Sequence, residues 1–239
     1  MVFPIILLLL IWLVIEIDFL RTAAKNMNCH GKMSQLTLMF NNHIVLFKTF
    51  PPVAIIDADG IPLHSWRMML FKDNEEFDLY GYNYDEIWNS TNNIEAIKNI
   101  DADKFGAFRK FYCPLNEKKG VANYVAIVTD SGQWYTTLCD ESFSQEVLLV
   151  ICDSFSKIKV AEPKDITLEQ AWCIFKRESS KKDILGRNMR KNIGVFWNFD
   201  EKKVVCREYT REDLLLLQSL SNGRSTPENE ASNTQTDQN

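Results

Sequence analysis

Residues 193–220 read IGVFWNFDEKKVVCREYTREDLLLLQSL. Both arms, Ile193 to Phe199 and Val204 to Tyr209, are rich in aromatic and β-branched residues. Such side chains fit a pleated, half-buried surface. The polar cluster Asp200-Glu201-Lys202-Lys203 lies between them, so the segment predicts a β-hairpin. Thr210-Arg211-Glu212-Asp213 follows, with a carboxylate three residues after a hydroxyl. That spacing predicts a capped helix carrying Leu214 to Leu217.

The pattern recurs twice upstream. Val53 to Ile56 meets the turn Asp57-Ala58-Asp59-Gly60 and continues in Ile61 to Leu70. Asn123 to Val128 meets Asp130-Ser131-Gly132 and continues in Gln133 to Cys139. Asp supplies side-chain bonds to the backbone and Gly supplies positive φ, so both stretches predict hairpins. Thr167-Leu168-Glu169-Gln170 is a second capping signature, introducing Ala171, Trp172, Ile174 and Phe175. Lys176 and Arg177 fall late in that helix, where its dipole favours cations. Val147 to Cys152 is an unbroken apolar run that fits a buried strand or a buried helix; Ser142 to Gln145 before it tips the reading to helix. Tyr84 to Ile100 reads as one or two short helices.

These elements predict an α+β fold: an antiparallel sheet built from β-hairpins, with helices packed on one face. Residues 33–220 form one domain, with Phe105 to Pro114 as the joint should it divide. An apolar N-terminal helix precedes it. Phe3 to Ile15 reads FPIILLLLIWLVI, and Glu16, Asp18 and Arg21 follow. Residues 1–24 are therefore read as a signal anchor or a signal peptide. A span of Phe3 to Leu20 reaches across a ~30 Å hydrocarbon core only with Glu16 and Asp18 in the headgroup layer. Lys and Arg (Arg21, Lys25, Lys32) follow the run and none precedes it, which places the bulk of the chain in the cytosol. One alternative is cleavage near Ala24 and a secreted or lumenal protein, for which Asn89-Ser90-Thr91 is a glycosylation sequon; the other is an ordinary buried helix. Residues 221–239, SNGRSTPENEASNTQTDQN, hold one hydrophobic residue and predict a disordered tail.

Composition bounds the chemistry. The 239 residues are 46% hydrophobic and 25% charged, with a formal net charge of −5. That is globular usage without the overall basic surface of a general nucleic-acid binder. Only three His and nine Gly are present. No glycine-rich phosphate loop and no Gly-x-Ser-x-Gly nucleophile elbow occurs. The six Cys (Cys29, Cys113, Cys139, Cys152, Cys173, Cys206) include no Cys-x-x-Cys pair. No metal or cofactor is expected, and the thiols are read as reduced; a secreted chain would allow bridges. Asp57 and Asp59 are read as turn formers and His64 as a hydrogen-bonded hairpin residue, which leaves no assembled catalytic set.

Two features point to contacts instead. Residues 177–191, RESSKKDILGRNMRK, are basic, and Lys181, Lys182, Arg187, Arg190 and Lys191 are the candidate contact for an anionic partner. Phe108, Arg109, Phe111 and Tyr112 are a candidate partner-binding strip. The sequence thus predicts a membrane-anchored, non-catalytic binding or scaffold domain, reaching the membrane through residues 3–20 and an unidentified protein through its surface. A secreted disulfide-containing protein and an enzyme with an unrecognised catalytic set are the alternatives.

Overall fold

In the computed structural model, residues 2–72, 81–102, 107–114, 120–139, 142–189 and 191–223 are described. The fold is α+β. Helix α1 spans Val2–Phe47, 46 residues, about 69 Å long at 1.5 Å per residue. A hairpin of β1 (Ala54–Ile56) and β2 (Pro62–Ser65) leads into α2 (Trp66–Lys72) and later α3 (Thr91–Ala102). The sheet comprises β3 (Tyr124–Val128), β4 (Glu146–Cys152), β5 (Ile166–Thr167), β6 (Ile193–Asn198) and β7 (Lys203–Glu208), in the order β5-β3-β4-β6-β7. Pairing is antiparallel except between β3 and β5. Helices α4 (Leu168–Ser179) and α5 (Arg211–Ser221) complete the described elements.

The first and third predicted hairpins are present, but the return arm of the first, expected over Ile61 to Leu70, ends as a strand at Ser65 and continues as helix α2. In the first, Asp57 Oδ1 accepts from the N–H groups of Asp59 and Ile61 at 2.9 and 2.8 Å, the turn-forming role expected of it. The third pairs Ile193 with Glu208 through to Asn198 with Lys203. The second hairpin is corrected. Its turn closes between Thr129 and Gln133, but the return arm pairs only at Trp134 and then winds into a short 3-10 turn, Tyr135–Leu138. The true partner of β3 is β4, so the helix expected over Val147 to Cys152 is a strand. It lies between β3 and β6 with both faces covered, and such a strand needs no polar alternation.

Helices cover both faces of the sheet rather than one. On the first face Met33, Leu36 and Phe40 of α1 pack on Tyr124, Ala126, Val195 and Val204, together with Trp66 and Phe71 of α2. On the second, Ala171 and Ile174 of α4 and Leu214 and Leu217 of α5 pack on Val125, Ile127, Val147 and Phe196. Phe111 and Tyr112 belong to the first core, so the segment considered a joint is built into the fold. A fully buried ion pair between Arg67 and Asp165 fastens α2 to β3: Arg67 Nε donates to the Tyr124 carbonyl at 3.1 Å, and Asp165 accepts from the Ala126 N–H at 2.7 Å.

The caps follow their sequence signatures. Thr167 and Gln170 exchange side-chain and backbone bonds at the start of α4. At α5 the Thr210 N–H and hydroxyl both donate to Asp213, at 2.7 and 3.2 Å, so the carboxylate is the main cap. The predicted tail beyond Gly223 lies outside the described residues.

Candidate functional site

Helix α1 builds the site. After Pro4 its sequence contains no proline and one glycine, Gly31, so nothing interrupts the backbone. Residues 2–24 of the segment read as a leader lie in the same helix as the residues that dock on the sheet. Docking begins at Glu16 and Phe19 and continues through Thr22, Asn26, Cys29, Met33, Leu36, Phe40 and His43, at spacings of three and four. Asn41 seals the far end: its Oδ1 accepts from the Val204 N–H at 2.7 Å and its Nδ2 donates to the Val204 carbonyl at 2.9 Å.

Before Glu16 the helix leaves the domain. Ile5 to Val14 are all exposed, from 47% at Leu13 to 66% at Leu8 and Val14. Ten consecutive apolar residues therefore face water around the whole circumference. Among the described residues, no helix is long and apolar enough to cross a membrane.

A hairpin stands beside the point of exit. Lys182 pairs with Asn188, Asp183 Oδ1 accepts from the Leu185 and Arg187 N–H groups, and Gly186 takes a φ of +77°. Arg187 is its bolt. Its guanidinium lies 3.8 Å from the centre of the Phe19 ring and donates to Glu16 at 3.1 Å and to Asp183 at 2.6 Å. Burial would raise the Asp183 carboxyl, but these bonds outweigh it and hold it below the usual range. Nearer the base, Asn26 Nδ2 donates to the Met189 carbonyl at 3.0 Å. Along α1 the step from Asn26 to Glu16 runs toward the free end, so the hairpin tip points that way. At the tip Ile184 and Leu185 are exposed, at 77% and 55%. Between hairpin base and helix lies an open groove of about 360 Å³, lined by Phe19, Ala23, Met27 and His30 of α1 and by Met189 and Ile193 opposite.

The predicted basic contact is divided by this arrangement. Arg187 is spent on Glu16 and Asp183, and Lys181 on Glu178 at 3.1 Å. Lys191 is exposed beside Glu208 at 3.5 Å, Lys182 is exposed, and Arg190 lies outside the described residues. The predicted strip is not one surface. Arg109 is exposed, whereas Phe111 sits edge-on to Trp66 and Phe71 in the core and Tyr112 is buried; the Phe108 side chain lies outside the described residues. His64 is buried: its Nε2 donates to the Tyr84 carbonyl and its Nδ1 accepts from the Tyr82 hydroxyl, both at 2.8 Å. Burial lowers its pKa, so it is a neutral structural group.

A cluster that sequence spacing concealed lies under α1. Cys29 of α1, Cys113 after the 3-10 turn Ala107–Phe111, and Cys152 at the end of β4 bring their sulfurs within 4.8 Å of one another. The Tyr124 hydroxyl donates to Cys29 Sγ at 3.5 Å. Hydrogen bonding with Cys113, together with burial, pushes the Cys29 thiol up to about 12 and Cys152 well above its ordinary value. Three soft donors at this spacing are the one group among the described residues suited to a thiophilic metal ion.

The match to known proteins covers the docked half of α1, the first hairpin and β3. Residues 20–145, just over half the chain, match the family described as "Protein of unknown function (DUF1559)", and the chain belongs to that family. No curated protein and no solved structure matches it.

Proposed function

We propose that this member of the family is a membrane-tethered, non-catalytic binding domain. The carrying observation is the exposed apolar end of α1, Ile5 to Val14. A contiguous apolar surface of this kind marks a partner or a membrane, and apolarity on every side of one helix suits lipid better than a single protein face. Ile5 to Ile15 spans about 16 Å, roughly half of a ~30 Å hydrocarbon core. Insertion is therefore shallow, with Glu16 and Asp18 at the headgroups. The Glu16–Arg187 pair supports that placement, because it neutralises one of the two acids where the helix meets the domain. The exposed Ile184 and Leu185 at the hairpin tip form a second apolar contact aimed the same way. The globular part then offers the groove beside α1 to a protein partner.

Vesicle flotation tests the reading. The full chain should float with phospholipid vesicles. A chain lacking residues 4–14 should stay below and keep its cooperative melt, since those side chains are exposed. A full chain that does not float refutes the tether, and a shortened chain that no longer melts cooperatively shows that the segment belongs to the fold.

A further inference from the structure

We propose that Cys29 and Cys113 are the partners of a disulfide that staples α1 to the sheet. Their sulfurs are 4.0 Å apart, in van der Waals contact across a sequence separation of 84. Both backbones are held: Cys29 lies mid-way along the docked helix, and the Cys113 N–H donates to Asn123 Oδ1 at 2.9 Å. Asn123 also donates from Nδ2 to the Asp153 carbonyl at 3.0 Å, which fixes the chain just after Cys152. Bond formation would draw two sulfurs so placed together to ~2.05 Å.

Charge decides between the two chemistries open to this trio. A metal ion requires three thiolates, and three negative charges around one or two positive ones leave a net charge in a dry core. Such a charge is costly without a partner. A disulfide leaves none. Two thiols and an external disulfide R–S–S–R, such as oxidised glutathione, exchange in two steps. One Cys thiolate attacks R–S–S–R and releases the first R–S⁻. The second thiolate attacks the mixed disulfide and releases the other, so the two thiol protons end on two R–SH. The sulfurs are buried once α1 docks, so the exchange belongs to folding. The bond persists in an oxidising compartment, which places the domain outside the cytosol, against the orientation expected from flanking charge.

The full chain, refolded in detergent in a glutathione redox buffer, should protect two of its six thiols from alkylation and yield a Cys29–Cys113 linked peptide on mass mapping. Closing so long a loop should raise the Tm by about 10 °C relative to the same protein in dithiothreitol. Cys152→Ala should keep both signatures. Cys29→Ala should lose the linked peptide and melt alike with and without reductant; if it fails to fold, the parent's peptide map decides alone. Six alkylated thiols would overturn the proposal, as would a linked peptide containing Cys152. So would a chain that forms no linkage in that buffer and instead holds one Cd²⁺ through all three sulfurs.

Discussion

From Ile5 to Val14 every residue of α1 is exposed, whereas from Phe19 to His43 the same helix presents a stripe of covered positions, three and four apart. The backbone does not change between them; the pattern does. Uniform apolarity gives a helix no preferred side to dock, while a stripe selects one face and leaves Lys25, Gly31 and Leu38 to water. The changeover falls at Glu16, the first polar residue after the run, and Arg187 meets it there. One continuous rod can thus serve two environments without a hinge.

The sharpest way to break this comparison is to remove one large side chain from each half. Phe40 is fully buried, stacked on Trp66 at 5.3 Å and edge-on to Trp134 at 5.9 Å. Phe40→Ala should cost about 3–5 kcal/mol in urea unfolding. Leu9→Ala should move the same transition by less than about 0.5 kcal/mol. Comparable losses from the two would mean that the apolar end is packed after all.

A smaller effect is expected at the polar seal. Asn41→Ala leaves the Val204 N–H and carbonyl without their side-chain partner, and a buried backbone group so left costs about 1–3 kcal/mol. Asn28, on the exposed side of the same helix, should tolerate Ala with no measurable change in urea midpoint.

How far the sequence announced this architecture depends on whether a segment's partner was local. The first and third hairpins were legible because strand, turn and strand are contiguous, and Asp57 or Asp200-Glu201 punctuates them. β4 was not, because a central strand covered on both faces shows no alternation, and its neighbours β3 and β6 lie far away in sequence. The Gln133 to Cys139 arm has strand composition but no free edge to join, since β4 and β5 already flank β3. The apolar end of α1 was plain from composition, but its docked half was passed over. The spacing of Met33, Leu36 and Phe40 was the signal that could have found it. The sulfur cluster left no local trace, because Cys29, Cys113 and Cys152 are joined only by the packing of α1 on the sheet.

Acid separates the two halves in another way. No residue between Ile5 and Ile15 titrates, so the free end is indifferent to pH. The folded domain instead buries His64, whose folded pKa lies below its ordinary 6.5 because of that burial. The unfolded chain therefore binds more protons in the window below 6.5, and stability falls as pH drops through it. Thermal melts from pH 7.5 to 5 should show that slope, and His64→Gln, which cannot titrate, should flatten it whatever its absolute stability. An unchanged slope in the variant would assign the pH dependence to other groups.

The finest distinction concerns the hairpin tip, where no change in folding is expected at all. Ile184 and Leu185 are exposed and the turn beneath them is held by Asp183, Gly186 and Arg187, not by their own side chains. Ile184→Ser with Leu185→Ser should therefore leave the urea midpoint unchanged. If the tip enters the lipid interface beside α1, the pair loses the transfer of two apolar side chains from water, about 1 kcal/mol each for half-burial. Vesicle affinity should then fall about thirtyfold, and by the same factor at low and at high salt, because no charge is altered. A further reversal, Lys182→Glu, separates the apolar contribution from the electrostatic one. It should weaken binding to anionic vesicles at low salt and leave neutral vesicles unaffected. Equal affinity for the parent and the doubly substituted chain would confine membrane contact to α1 and return the hairpin to the role its bonds already define, a clamp that holds Glu16 and Phe19 where the helix leaves the domain.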